Sequence, residues 1–206
     1  MNSCPRSILT FTATLIGAAF LMCSDASAQN LLVNADFETG DLTGWVLGGE
    51  SPSSTISVVS PDNGPSFAGT NSVLLDNQAQ AIGLAIKQST APGVLGEGEI
   101  FYSFDLKSIE SANGGVFFVE IFAEQNGVGV IGGTGVLGPY TPADWTTYQG
   151  SFIAPAGTDF ATIQFSAITG AVDGSISTML VDNPNLSERP VSGEVSSFGE
   201  LKADFR

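Results

Sequence analysis

The chain has 206 residues, of which 43% are hydrophobic, and it carries 21 Asp and Glu against 6 Lys and Arg, a formal net charge of −15. A protein this acidic repels nucleic acid and anionic membranes, so we expect neither as a partner. It has no histidine and both cysteines lie within the first 23 residues, which excludes Ser-His-Asp triads, Cys-His pairs and imidazole metal ligands from the rest of the chain.

Residues 1–28 have the pattern of a secretory signal peptide. Arg6 supplies the positive charge, an apolar run extends from Ile8 to Met22, and an Ala-Ser-Ala cleavage site precedes Gln29. The apolar run is about fifteen residues long, shorter than the ~20 that span a bilayer. We therefore predict a secreted protein without membrane insertion. Cleavage would remove both cysteines, and with them any disulfide.

Short segments of alternating apolar and polar residues follow, separated by turns rich in Gly, Pro, Asn and Asp. Eight or nine such segments predict an all-β fold, an antiparallel β-sandwich of the jelly-roll type. We expect a single domain over residues 29–186. The predicted strands are 31–37, 56–59, 72–75, 81–88, 100–106, 116–124, 146–153, 161–167 and 176–181.

The alternation also predicts which side chains face the core. Phe117, Val119 and Ile121 point inward on one strand, while on another Phe104 points inward and Asp105 outward. The outward positions combine aromatic, acid and amide groups. We expect a single outer face to carry them: Phe101, Phe118, Glu120, Phe122, Gln149 and Gln164.

The glycine-rich stretch 127–135 has the glycine density of a nucleotide-binding loop. It lacks the lysine of a P-loop, and no helical pattern follows it. We predict a hairpin or a long surface loop there.

Residues 187–206 form a linker followed by a short amphipathic segment. Ser197 and Glu200 have the spacing of a helix capping box. Apolar residues at i, i+3 and i+7 then predict a short C-terminal helix or turn, with cations toward its end. Two roles stay open: packing against the sandwich, or a sorting or attachment tag. The residues concerned are Phe198, Leu201 and Phe205 with Lys202 and Arg206.

Four motifs in chain order resemble one known family, the carbohydrate-binding modules of the cellulose- and xylan-binding jelly-roll group within the galactose-binding-like superfamily. They are NADFE (34–38) with GW (44–45), FAGTNSVLL (67–75), DWTTY (144–148) through Phe152 and Pro155, and ISTMLVDNPNL (176–186). The resemblance covers roughly residues 30–186.

The resemblance implies a structural calcium ion where the first strand, the turn before Ser72 and the last strand meet. Carried over to this chain, its ligands would be Asp36, Glu38, a main-chain carbonyl near Gly69 and the Asp182 side chain. Carboxylates and carbonyls are the oxygen ligands that calcium prefers. In the alternative interpretation Asp36 and Glu38 are solvated turn residues and Asp182 caps the last turn.

Aromatic residues divide into core and surface candidates. We expect Trp45 and Trp145 to be buried, the first because it begins a strand in the resemblance and the second because it starts a strand near Tyr148. Aromatic faces give a ligand broad apolar area at low entropic cost. The outward candidates for such a platform are Phe101, Phe118, Phe122 and the loop residue Tyr140.

The resemblance implies a non-catalytic module that recognises a polysaccharide or glycoconjugate. Phe118 or Phe122 would stack on a sugar ring, and Glu120, Gln149 and Gln164 would bond its hydroxyls. The alternative is a structural or surface-interaction protein of the cell envelope or extracellular matrix. We expect no glycosidase, because Glu120 and Glu124 on one strand would stand ~13–14 Å apart, beyond the ~5–9.5 Å that such enzymes use.

Overall fold

The computed structural model describes residues 29–188 and folds them into ten β-strands. The all-β prediction is confirmed, with ten strands in place of eight or nine. The predicted signal peptide, residues 1–28, and the segment 189–206 lie outside the described residues. Between residues 29 and 188 no helix has the length and apolarity to cross a membrane. The strands are β1 Val46–Gly48, β2 Ser54–Val59, β3 Ser72–Asn77, β4 Gly83–Ser89, β5 Gly98–Ala112, β6 Val116–Gln125, β7 Gly129–Leu137, β8 Thr146–Ala154, β9 Phe160–Ile168 and β10 Ile176–Ser187.

The strands form two five-stranded sheets whose neighbours are all antiparallel. Sheet I has the order β1-β4-β9-β6-β7, and sheet II has the order β2-β3-β10-β5-β8. Consecutive strands often belong to different sheets; β4, for example, is in sheet I and β5 is in sheet II. This two-sheet arrangement is the predicted β-sandwich, consistent with a jelly roll.

The inward residues of both sheets meet in one hydrophobic core. Phe104 of β5 packs edge-on against Phe165 of β9, with ring centroids 5.6 Å apart, which joins sheet II to sheet I. Phe165 also contacts Trp45 at 6.4 Å. Each fully buried aromatic or aliphatic side chain contributes about 1.5–3 kcal/mol. The predicted inward residues are fully buried in both strands that illustrate the alternation: Phe104, Phe117, Val119 and Ile121.

The prediction of a strand over 31–37 is wrong, because this segment is a series of bends and turns. Asn34 and Phe37 both have positive φ angles, of 48° and 54°, which an extended strand excludes. The backbone of Val33 bonds instead to the Gln88 side chain, which donates to its carbonyl and accepts from its N–H. Phe37 is nevertheless fully buried, so the segment still contributes to the core.

The alternation did not predict two edge strands of sheet I, although the resemblance implies a strand beginning at Trp45, next to β1. β1 has only three residues, too few for a period-2 pattern. β7 is the glycine-rich stretch, which pairs with β6 as a hairpin. The hairpin prediction is therefore confirmed, and its second arm belongs to the sheet.

Candidate functional site

The outer surface of sheet I carries a row of side chains that crosses four strands. Lys87 of β4 lies opposite Gln164 of β9, which lies opposite Glu120 of β6, which in turn lies opposite Val136 of β7. Neighbouring strands lie ~4.8 Å apart, so the row is ~14 Å long. We call this surface the sheet I face.

At the centre of the row an amide and a carboxylate stand side by side. The Gln164 Nε2 donates to Glu120 Oε2 at 3.5 Å and to Ser166 Oγ at 3.2 Å. Both bonds are long, so both groups are only partly satisfied by the protein. Both side chains are half-buried. They can therefore donate to and accept from the hydroxyls of a ligand.

Two phenylalanine rings flank this pair along β6. Phe118 and Phe122 lie two residues to either side of Glu120, on the same face, and both are half-buried. Phe118 pairs with Ser166 of β9 and Phe122 with Thr162. Four residues of strand separate the two rings by about 13–14 Å. The sheet I face thus presents apolar, polar and apolar patches in sequence.

The prediction of one shared outer face is wrong for Phe101 and Gln149. Phe101 is on β5 and Gln149 on β8, and both strands belong to sheet II. Their outward side chains therefore point away from Phe118 and Gln164, on the opposite side of the sandwich. Alternation shows that a residue is outward, but it carries no information on which sheet contains the strand.

Other residues of the sheet I face were not singled out from the sequence. Lys87 and Ser89 point outward on β4, and Ser89 bonds to Thr162 at 2.7 Å. The Thr162 hydroxyl also donates to the Glu124 carboxylate, and this bond occupies one of the Glu124 oxygens. The same period-2 alternation that identified Gln164 would have placed Lys87 on an outer face.

The remaining aromatic candidates occupy different surroundings. Trp45 is buried as predicted, and its indole N–H donates to the Asn34 carbonyl at 3.1 Å. Trp145 is half-buried outside the core cluster, where its indole donates to Asp62 at 2.7 Å, so the expectation of burial is wrong for it. Tyr140 packs against Tyr148, with ring centroids 4.4 Å apart, and against Phe104. It therefore lies at the edge of the hydrophobic core.

The predicted calcium ligands are brought together only in part. Glu38 accepts hydrogen bonds from the backbone N–H groups of Thr70 and Asn71, at 2.7 and 2.8 Å, and these bonds hold its pKa below the usual value. A side chain on Gly69 would collide with the Glu38 carboxylate. Asp36 is exposed and accepts the Glu38 N–H at 3.3 Å, as a turn residue does.

Asp182 is buried on β10 in strongly acidic surroundings. Its Oδ2 accepts the Gly64 N–H and its Oδ1 the Asn183 N–H, both at 2.7 Å. The pKa of Asp182 is raised to about 7, mainly by burial; the Gly64 and Asn183 N–H groups oppose the increase, and the negative charges of Asp105 and Glu38 add to it. Within residues 29–188 no group of three or more carboxylates converges to hold a metal ion. A cation here would depend on two carboxylates and on carbonyl oxygens.

Asp105 was predicted to face solvent, and this is wrong because the loop after β2 covers it. Its carboxylate is fully buried. It accepts from the Ser66 N–H at 2.9 Å, the Asn183 amide at 3.0 Å and the Thr147 hydroxyl at 2.6 Å. These bonds tie the loop to β5, β8 and β10.

Comparison with solved structures identifies the architecture. The family 61 module TmCBM61, solved in complex with β-1,4-galactotriose, superposes with a TM-score of 0.55 at 16% identity over 79% of this chain and 100% of its own. The fold is that of the carbohydrate-binding modules. The family 16 carbohydrate-binding module-2 agrees, with a TM-score of 0.52 at 19% identity over 77% of this chain and all of that one.

The same sandwich also occurs inside a larger protein. The enzymatically active domain of the bacteriophage CBA120 tailspike protein 4 matches with a TM-score of 0.59 at 14% identity, over 77% of this chain. This chain spans only 21% of that one. No family model matches the sequence, and no curated protein matches it.

Proposed function

We propose that the protein is a secreted, non-catalytic module that binds a polysaccharide on the sheet I face. The observation that carries this proposal is the partly satisfied Glu120–Gln164 pair between the outward rings of Phe118 and Phe122. Apolar ring faces stack on the flat faces of sugars, while amide and carboxylate groups bond the hydroxyls between them. The fold shared with TmCBM61, a module solved with a galactotriose, supports the same assignment.

The first prediction tests the ring and the amide. Phe118→Ala and Gln164→Ala should each weaken retention on a neutral polysaccharide gel about 5- to 30-fold, as expected for the loss of ~1–2 kcal/mol. We expect the unaltered protein to bind with a dissociation constant of about 10–1000 μM, or roughly 4–7 kcal/mol. Affinity electrophoresis across galactan, xylan and glucan gels measures both.

Gln149→Ala is the matched control, because it removes the same kind of amide from the opposite sheet. It should leave mobility unchanged. Equal mobility of the unaltered protein on every gel and on a gel without polysaccharide would contradict glycan binding and favour the structural role.

We further propose that a calcium ion binds near Glu38 and Asp182, with a carbonyl near Gly69 among its ligands. The supporting observation is that Asp182 is buried beside like charges, so that its ionised form has two backbone N–H donors but no positive counter-charge within residues 29–188. A bound cation would supply it. Asp36 would contribute least, because the negative charges that raise the pKa of Asp182 are those of Asp105 and Glu38, not that of Asp36.

The second prediction concerns calcium removal. A ligand at a hundredfold excess over its dissociation constant stabilises the folded state by about 2.7 kcal/mol. Chelation with EDTA should therefore lower the melting temperature, and calcium should restore it. In Asp182→Asn the melting temperature should no longer respond to either, while Asp36→Asn should still respond. Identical melting curves of the unaltered protein with EDTA and with calcium would count against the site.

A further inference from the structure

The outer surface of sheet II contains a groove of about 450 Å³ that the proposed glycan binding does not use. Its floor is apolar, formed by Leu74 of β3 and Leu180 of β10, which lie opposite each other. Val59 and Pro61 close one side. We call this feature the sheet II groove.

A β-bulge in β5 adds an exposed apolar side chain to the groove. Thr178 pairs with Glu110 and the next residue of β10 pairs with Ser108, so Ile109 is the extra residue. Bulges re-aim side chains, and Ile109 lines the groove with 53% of its surface exposed. An exposed isoleucine beside a leucine floor marks apolar surface available for a docked element.

Carboxylates line the groove, and two of them have no cationic partner among residues 29–188. Asp76 and Glu110 lie on either side of Thr178, two strands apart, or ~10 Å. In the part of the chain that the structure describes, Asp76 accepts only from the neutral Thr178 and Gln78 side chains. The single ion pair among residues 29–188 joins Lys107 to the third groove carboxylate, Asp62, at 2.9 Å.

The cations that could meet Asp76 and Glu110 are in the C-terminal segment. Within residues 29–188 the only Lys and Arg residues are Lys107, already paired, and Lys87, on the opposite sheet. Of the other four, Arg6 lies in the predicted signal peptide, and Arg189, Lys202 and Arg206 follow residue 188. Lys202 and Arg206 accompany the apolar residues Phe198, Leu201 and Phe205 at helical spacing.

The chain is long enough for this segment to reach the groove. β10 ends at Ser187, seven residues beyond Leu180, or ~23 Å along the strand. Residues 188–197 can span up to ~33–36 Å. A second copy of the chain is a poorer occupant, because each copy has a net charge of −15 and the two repel each other.

We propose that residues 197–206 dock in the sheet II groove, with Phe198, Leu201 and Phe205 on the apolar floor and Lys202 beside Asp76 and Glu110. The segment is then a packing element of the sandwich rather than a free tag. It covers the outer surface of sheet II and leaves the sheet I face open.

Zero-length carbodiimide cross-linking of the mature protein, followed by peptide mass spectrometry, tests the contact. Lys202 should cross-link to Asp76 or Glu110 within one molecule, with Lys107 to Asp62 as the internal control. Mixing unlabelled and ¹⁵N-labelled protein separates intramolecular from intermolecular products. Cross-links of Lys202 only between copies, only to other carboxylates, or to none while the control forms would overturn the proposal.

A thermodynamic cycle tests the apolar contact. Ile109→Glu in the full chain and removal of residues 189–206 should each lower the melting temperature. Ile109→Glu should not lower the melting temperature of the shortened chain further, because the stability effects of changes at contacting residues are not additive. Fully additive effects would contradict docking. A charge exchange gives a second measurement: Glu110→Lys should reduce the loss of melting temperature caused by removing the segment, and adding Lys202→Glu should restore that loss.

Discussion

At the scale of single residues, buried polar side chains join parts of the molecule that the strands alone do not connect. Asn77 is the clearest case, since it is fully buried at the end of β3. Its amide nitrogen donates to the carbonyls of Ala167 and Ile82, at 2.8 and 3.0 Å, and its oxygen accepts from Ser54 at 2.7 Å. One side chain therefore bonds sheet II to sheet I.

The third prediction follows from these bonds. Asn77→Ala should lower the free energy of unfolding by about 2–3 kcal/mol, because buried carbonyl and hydroxyl groups lose their partner. Urea unfolding followed by tryptophan fluorescence measures the change. Asn126→Ala is the control, since that side chain is exposed and only its backbone N–H is bonded. Equal stability of the two variants would show that Asn77 does not join the sheets.

The sequence predicts inward and outward residues well and predicts shared surfaces poorly. Phe117 and Ile163 are buried as expected, because alternation follows directly from strand geometry. Gln149 and Gln164 are both outward, yet they lie on opposite sheets. The order of strands depends on which chain segments pair at long range, and no single-strand pattern encodes that pairing.

At the scale of elements, β7 shows why a glycine-rich stretch can be a strand. Gly133 sits at an irregularity opposite Phe122 with a φ of +149°, and a Cβ there would stand 2.1 Å from the Ile121 carbonyl oxygen. The absent side chain is what allows β7 to approach β6. Glycine is usually a signal for turns, so the sequence predicts the hairpin and leaves its second strand undefined.

The fourth prediction tests this approach. Gly133→Ala should destabilise the fold by about 1–3 kcal/mol, the cost of backbone strain, and should speed amide exchange in β6 and β7. Gly83→Ala is the matched control, because a Cβ there meets nothing within 4 Å and its φ is not positive. Thermal unfolding and hydrogen exchange measure both variants. If Gly133→Ala left the stability of the fold unchanged, β6 and β7 would be able to move apart without a loss of stability.

At the scale of the whole molecule, the two outer surfaces differ in chemistry and so suit different partners. The sheet I face alternates rings with an amide–carboxylate pair and contains one cation, Lys87. The sheet II groove combines an apolar floor with Asp62, Asp76 and Glu110. This difference is the reason for proposing a sugar chain on the first surface and an amphipathic, cationic segment on the second.

The fifth prediction follows from the net charge of −15. Neutral polysaccharides carry no charge to be repelled, so their retention should not depend on salt between 20 and 500 mM. Acidic polysaccharides such as polygalacturonate should be bound poorly at low salt, where the protein repels them most strongly. Raising the salt concentration should improve their retention, because the Debye length falls from ~10 Å at 0.1 M to ~3 Å at 1 M.

Affinity electrophoresis on paired neutral and acidic gels measures this difference. Lys87→Glu serves as the comparison variant, since it removes the sheet I cation and should widen the preference for neutral chains. Stronger retention on the acidic gel at low salt would contradict the prediction, because it would require a cationic surface that residues 29–188 do not provide: their two lysines stand on opposite sheets, and one of them is paired with Asp62.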